Sequence, residues 1–247
     1  MVFAERTVAR VALEERLREQ TALARLGEMA AVIAHEVKNP LTAVRGAIQV
    51  IGRRLPPDSR DGPVIKEVVS RLDSLNELIQ DLLLFARTPS LKIAPVEVAS
   101  LLRRTADFLT QDPALHQVAI DINGGAAPIM ADADLLRIVL QNLLLNAAQA
   151  MQGTGTIRAV VTAGTQGGCR IAISDTGPGM SGEVREQLFR PFFTTKARGT
   201  GLGLATAKRL VEAHRGTIAV ECPPEGGTVV LIDLPGPPER PDAGATR

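Results

Sequence analysis

The feature that most constrains this chain is a pair of apolar runs with heptad spacing. Leu26, Ala30, Ile33, Val37, Val44, Ile48 and Ile51 recur at steps of 4, 3, 4, 7, 4 and 3. Ile65, Val68, Leu72, Leu75, Ile79, Leu82 and Ala86 follow at steps of 3, 4, 3, 4, 3 and 4. Such a repeat keeps one apolar stripe on one side of a helix along its whole length. Pro56-Pro57-Asp58 falls between the runs and ends the first helix. The pattern therefore predicts an antiparallel helical hairpin. Two helices cannot cover both stripes by themselves. Pairing of two hairpins into a dimeric four-helix bundle is expected, and with it a homodimer.

The remainder of the 247 residues reads differently. Thr88-Pro89 stops the second helix and Ala94-Pro95 opens the next segment, which makes residues 88–95 a short linker. Beyond it, helices are expected over residues 98–110, 132–151 and 202–214, with Asp132 as the N-cap of the second. Strands are expected over 118–122, 156–162, 169–174, 217–221 and 228–234, the second and third paired around Gly167-Gly168. Helices and strands in separate runs indicate an α+β two-layer sandwich, not a doubly wound parallel sheet. From Pro235 onward the chain is rich in Pro and Gly, and a disordered tail is expected. Upstream, the stretch from Glu5 to Leu26 is charged, lacks Gly and Pro, and reads as helix.

Composition removes several classes of function. A net charge of +1 leaves no electrostatic footprint for nucleic acid or an anionic membrane. Aromatic residues are 2%, without Trp or Tyr, so platforms for stacking bases are missing. No apolar run reaches the ~18 residues of a spanning helix. The first ten residues, with Glu5, Arg6 and Arg10, lack the apolar centre of a signal peptide. A soluble cytoplasmic protein without nucleic-acid or membrane contacts is expected. Cys169 and Cys222 sit in strand-like segments and read as reduced, packed thiols.

Chemistry concentrates in two places. His35 lies about 200° round the first helix from the seam residue Ile33, so it is expected to face solvent. Asn39 is about 40° from His35, on the same face. Pro40 leaves the Glu36 carbonyl without its helical donor, and a loosened turn is expected there. A neutral imidazole is the nucleophile that accepts a phosphoryl group, and Glu36 can take the proton or hold the tautomer. His116 and His214 lack such a setting and read as ordinary surface histidines. The second place begins with Asn142 and Asn146, one turn apart on a helix otherwise rich in Leu, Ile and Val. Their amides can meet a cation, phosphate or ribose. A merely solvated polar face stays open for this pair. Asp175-Thr176-Gly177-Pro178-Gly179 ends a strand in a tight turn whose carboxylate can accept from an exocyclic amine, although a plain Asp-Gly turn is the simpler reading. Gly199-Thr200-Gly201-Leu202-Gly203 opens a helix whose backbone N–H groups suit phosphate. Before it, Phe189, Phe192, Phe193 and Lys196 lie in a loop that reads as a mobile lid.

These motifs, in this order, resemble the sensor histidine kinases of two-component systems across residues 23–235. His35-Glu36-Val37-Lys38-Asn39-Pro40-Leu41 is similar to that family's H box, and residues 134–150 to its N box. Asp175 to Gly179 resembles the G1 box, Phe189 to Lys196 the F box, Gly199 to Leu204 the G2 box, and Gly227-Thr228 a third glycine box. The resemblance implies a helical signalling linker at 1–22, a HisKA-type dimerisation and phosphotransfer domain at 23–88, a catalytic ATP-binding domain at 89–235 and a disordered tail at 236–247. The catalytic domain would have the Bergerat-type fold shared with DNA gyrase and mismatch-repair ATPases. It further implies ATP and Mg²⁺ as cofactors, autophosphorylation of His35 assisted by Glu36, and transfer to an aspartate of a response regulator receiver domain. Asn39 would position water for dephosphorylating that regulator. Asn146 would hold Mg²⁺ with Asn142 nearby, and Asp175 would read adenine with support from Thr228. Gly177, Gly179, Lys196, Thr200, Gly201, Leu202 and Gly203 would complete the nucleotide site. The resemblance leaves the sensor module missing or supplied by a separate chain. A clamp ATPase of the same fold and a non-enzymatic dimeric scaffold are the competing readings. The exposed His-Glu-x-x-Asn pattern speaks against the first, and intact Asn146, Asp175 and glycines against the second.

Overall fold

The computed structural model describes residues 36–56, 59–86, 90–196 and 199–236. His35, the expected linker at 1–22 and the expected tail beyond 236 lie outside the described residues. The described chain falls into two compact units, one up to residue 86 and one from residue 90.

The first unit is a hairpin of helix α1, over residues 36–54, and helix α2, Gly62–Ala86. Helix α1 continues through Pro40 without a break. Two residues further on, the Thr42 hydroxyl donates to the Lys38 carbonyl at 2.8 Å. At the closed end the helices approach tightly, since a Cβ on Gly52 would lie 3.0 Å from Ile65 Cγ2. Arg45 bridges to Asp73 of α2 through Nε–Oδ1 at 2.6 Å. Both side chains are a little under half exposed, so water still screens the pair and it contributes about 1 kcal/mol or less. The apolar stripes remain half open. Val44, Ile51 and Leu75 are 46%, 55% and 42% exposed, and of α2 only Ile79, Phe85 and Ala86 are buried. A separate groove of about 650 Å³ between the helices has a largely polar lining that includes Gln49, Arg53, Lys66, Asp73 and Glu77. One hairpin therefore leaves uncovered the surface that the heptad pattern is built to bury. No helix among the described residues is long and apolar enough to cross a membrane.

The second unit is a two-layer α/β sandwich. Its five-stranded sheet has the order β2-β4-β5-β7-β6. The strands are β2 (Gln117–Gly124), β4 (Thr154–Ala163), β5 (Cys169–Asp175), β6 (Thr217–Glu221) and β7 (Thr228–Leu234). β2 and β4 run parallel, and every other pair is antiparallel. A separate two-stranded sheet pairs β1 (Ala94–Val96) with β3 (Ile129–Ala131). Helices α3 (Val98–Leu109), α4 (Ala133–Ala150) and α6 (Gly203–Ala213) supply the other layer, and α5 (Gly182–Gln187) lies in the connection from β5 to α6. Strand alternation explains the core. Ile157, Ala159 and Val161 of β4, with Cys169, Ile171 and Ile173 of β5, face inward and pack with Leu136, Leu140, Leu143 and Leu144 of α4. Each such Leu or Ile contributes roughly 1.5–3 kcal/mol on burial.

The eight expected elements of this unit, three helices and five strands, are all present with closely matching bounds. Three short ones do not follow from the sequence pattern. β1 takes the last two residues of the expected linker, and β3 and α5 arise where no periodicity can develop in three to six residues. Ser181 caps α5 by accepting from Val184 N–H at 3.3 Å. The cysteines are free. Burial pushes the Cys169 thiol up to about 11, with Glu97 and Asp233 adding to it, so this thiol is unreactive.

His214 corrects the sequence reading. It is 7% exposed rather than an ordinary surface residue. Its ring closes the C-terminal end of α6, where Nδ1 lies 2.7 Å from the Leu210 carbonyl. Its Nε2 accepts from the Asp132 backbone N–H at 3.0 Å. An N–H can only donate, so the pair of bonds requires a neutral ring with its proton on Nδ1. Asp132 itself is the expected N-cap of α4. One carboxylate oxygen accepts from Asp134 and Leu135 N–H, and the other accepts from Lys92 N–H at 2.7 Å. Burial pushes this carboxyl up, but the Lys92, Leu135 and Asp134 backbone donors hold it below its ordinary value. Its stabilising effect is therefore complete above the unfolded-state value and is lost as pH falls through the lower folded value. We expect Asp132→Ala to cost about 1–2 kcal/mol at pH 7, as N-cap deletions do. In parallel thermal melts, the gap between parent and variant should narrow only below about pH 4.

Candidate nucleotide-binding site

Helix α4 has two unlike faces. Leu136, Val139, Leu140, Leu143, Leu144, Ala147 and Ala148 are buried. Asn142 and Asn146 are half-buried on the other side, and Gln149 is exposed beside them. Three segments meet this polar face in succession along its length.

The first is the start of α6. Asn142 Nδ2 donates back to the Ile138 carbonyl at 3.0 Å, which fixes the amide and leaves Oδ1 outward. A Cβ on Gly203 would stand 2.7 Å from that oxygen, so glycine alone permits α6 to begin here. Leu202, fully buried, is the N-cap position and makes no side-chain capping bond. The first-turn N–H groups of α6 are thus not met by a side-chain cap, the arrangement that favours an anion. Thr200 Oγ1 accepts from Leu202 N–H at 3.3 Å and shapes the approach.

The second is the loop that carries Lys196. Its ammonium donates to Asn146 Oδ1 at 2.7 Å and to Gln149 Oε1 at 2.6 Å. Burial lowers its pKa from the ordinary lysine value. The loop crosses itself at Phe192 and Gly201, where Phe192 N–H donates to the Gly201 carbonyl at 3.0 Å. A Cβ on Gly201, whose φ is +68°, would lie 2.5 Å from the Phe192 carbonyl carbon. Phe192 has φ +65° and is exposed, while Phe189 is covered by the Lys208 ammonium 5.4 Å from its ring centre.

The third is the turn after β5. Asp175 Oδ1 accepts from Gly177 N–H at 2.9 Å and Thr228 N–H at 3.2 Å. The Thr228 side chain is a further donor to this carboxylate. Burial nonetheless raises the Asp175 carboxyl above its usual value. Gly227 N–H donates to the Gly177 carbonyl at 2.8 Å, and a Cβ on Gly179 would come within 2.9 Å of the Gly227 carbonyl oxygen. Gly177 itself rests against Ala150 and Met151 at the end of α4. Thr176 ties the turn to β4 by accepting from Thr156 N–H at 3.1 Å.

Asn142, Asn146, Lys196, Thr200, Gly201, Leu202 and Gly203 thus gather over the middle of α4, and Asp175, Gly177, Gly179 and Thr228 at its C-terminal end. Gln149 was missed by the sequence reading, although its place three residues after Asn146 puts it on the same face. Glu36 and Asn39 belong to the other unit, where both are exposed on α1.

A two-layer sandwich with this glycine-bordered polar face follows a hairpin with heptad stripes, and family comparison agrees with both halves. Residues 25–90 match the His Kinase A (phospho-acceptor) domain. Residues 131–238 match the histidine kinase-, DNA gyrase B- and HSP90-like ATPase. The chain belongs to the sensor histidine kinases of two-component systems. It is 37% identical over 97% of its length to the signal transduction histidine-protein kinase AtoS of Escherichia coli strain K12, and covers 39% of that protein. It is 34% identical over 92% to the sensor histidine kinase ZraS of Klebsiella oxytoca, covering 50% of it. Sporulation kinase E of Bacillus subtilis strain 168 is 35% identical over 90%, with 30% of its length covered. The chain thus spans at most half of these relatives. Among solved structures, full-length ShkA in complex with AMPPNP aligns with TM-score 0.72 at 28% identity, over 84% of this chain and 45% of that one. The histidine kinase ThkA in complex with the response regulator TrrA aligns with TM-score 0.65 at 26% identity, over 93% and 67%.

Asp175→Asn should leave the turn intact, because both backbone bonds end on one oxygen that an amide retains. It should weaken adenine-nucleotide binding about tenfold or more in calorimetry, because one acceptor becomes a donor. Unchanged affinity would place adenine elsewhere.

Proposed function

We propose that this chain is the transmitter portion of a histidine kinase, with the phosphoacceptor domain at 23–88 and the ATP-binding domain at 89–235. ATP binds over α4, with adenine at Asp175 and Thr228 and the phosphates near Asn142, Asn146, Thr200 and the start of α6. The observation that carries this reading is the convergence of an adenine-type carboxylate turn, an amide pair and an open helix start on one helix face. The same site fits a divalent cation, since the Asn146 and Gln149 oxygens already converge on one positive charge. Bound Mg²⁺ would neutralise charge developing on the phosphates. A neutral amide pair suits an ion that keeps most of its ligands as water and phosphate oxygens.

His35 attacks the γ-phosphorus with its ring lone pair. The N–P bond forms, the bond from phosphorus to the bridging oxygen breaks, and ADP leaves. Glu36 receives the proton given up by the other ring nitrogen. The phosphoryl group then passes to a receiver-domain aspartate, the partner class seen with ThkA. Two chains pair through the open stripes of α1 and α2. Asn39, exposed on α1, orients water for the reverse hydrolysis of the phosphorylated regulator.

Two substitutions test the hairpin's part. His35→Gln should abolish acid-labile, alkali-stable labelling by ATP while nucleotide binding persists. Equal labelling would refute the assignment. Asn39→Ala should slow dephosphorylation of the cognate regulator by about tenfold, a loss typical of misplaced reactants. Autophosphorylation should stay within a few fold. A matched fall in both rates with a lower thermal midpoint would make Asn39 a structural residue of the Pro40 turn.

A further inference from the structure

We propose that Lys196 is an internal counter-cation, its ammonium standing between Asn146 and Gln149 where the divalent cation of the nucleotide complex binds, so that the two positive charges exclude one another and Gln149 is a second cation-facing oxygen. This rests on the nucleotide reading above and adds to it how the site changes on loading.

The geometry is that of a small cation site. Asn146 and Gln149 stand three residues apart on α4, and their carbonyl oxygens approach one ammonium at 2.7 and 2.6 Å. Both amides turn oxygen, not nitrogen, to the same point, which an amide does toward positive charge. Among the described residues, both side-chain hydrogen-bond partners of the ammonium are neutral amide oxygens. A lysine with this surrounding is held by the amide oxygens and gains on moving to a stronger negative charge. Among the described residues, the loop is held at the Phe192–Gly201 crossing, and beside the lysine by the Lys196 N–H bond to Thr194 Oγ1 at 3.1 Å and the Gly199 N–H bond to the Lys196 carbonyl at 3.3 Å. An ammonium and a divalent cation cannot share oxygens a few ångströms apart without strong repulsion. A divalent cation would therefore be held by these oxygens only with the Lys196 ammonium withdrawn, which removes the side-chain tie between this loop and α4.

The test uses the full chain. ADP affinity is measured first by calorimetry. Failure of the parent to bind ADP refutes the nucleotide reading, and this proposal with it. With ADP bound, Mn²⁺ is titrated as the probe and its free form is read by electron paramagnetic resonance. Lys196→Met should tighten Mn²⁺ binding about five- to tenfold, because the competing charge is gone. Gln149→Ala introduced into Lys196→Met should reverse part of that gain. In ligand-free protein, hydrogen exchange of backbone amides in residues 189–196 should be faster in Lys196→Met than in the parent. Mn²⁺ binding that is unchanged or weaker in Lys196→Met, with ADP still bound, overturns the competition and makes Lys196 a phosphate contact only. Unchanged exchange overturns its role in holding the loop.

Discussion

The ATP-binding unit depends on one helix being asked to do two incompatible things. α4 must bury a continuous row of Leu, Val and Ala against the sheet, and must also keep three amides at a working surface. An α-helix resolves this because positions three and four residues apart share a face. The buried row fixes the rotation of the helix, and the amides have no freedom left in where they point. The start of α6, the Lys196 loop and the Asp175 turn are each defined by how they meet that face. The Asp132 cap fixes where the helix begins, and His214 ties that beginning to the end of α6.

Glycine at the meeting points follows from the same constraint. Gly203 admits α6 to within contact of Asn142, and Gly201 lets the loop cross Phe192. At both positions a methyl group would collide with the backbone or with a fixed amide. The sequence presents these residues as a phosphate motif, and the structure adds that they are also spacers between α4 and the segments packed on it.

What could be read beforehand was whatever repeats. The heptad steps of α1 and α2, the amide pair on α4 and the alternation in β4, β5 and β7 all have a period that a few residues reveal. The motifs around Asp175 and Gly203 were legible because glycine and carboxylate chemistry is local. The unread parts depend on neighbours distant in sequence. β1 and β3 exist as strands through each other, over three residues each. His214 looked solvated because nothing near it in sequence shows that Asp132 would present an N–H to its ring. Gln149 carries no signal in the sequence because its partner, Lys196, lies 47 residues away. The position of His35 could be argued only from helix geometry, and it lies outside the described residues.

The strand order has a consequence for how this unit assembles. β4 with β5, and β6 with β7, are hairpins closed over short loops, whereas β5 meets β7 across a separation of 53 residues at Asp175 and Thr228. Joining the two hairpins carries the larger loop-closure entropy, and contacts of that range form late in folding. The Asp175 turn is built from residues on both sides of that join. The Asp175 turn and the completed sheet are therefore one event, and a ligand held at Asp175 would add its binding free energy to the join between the two hairpins. Occupancy of that turn would thus raise the stability of the folded unit in proportion to ligand concentration.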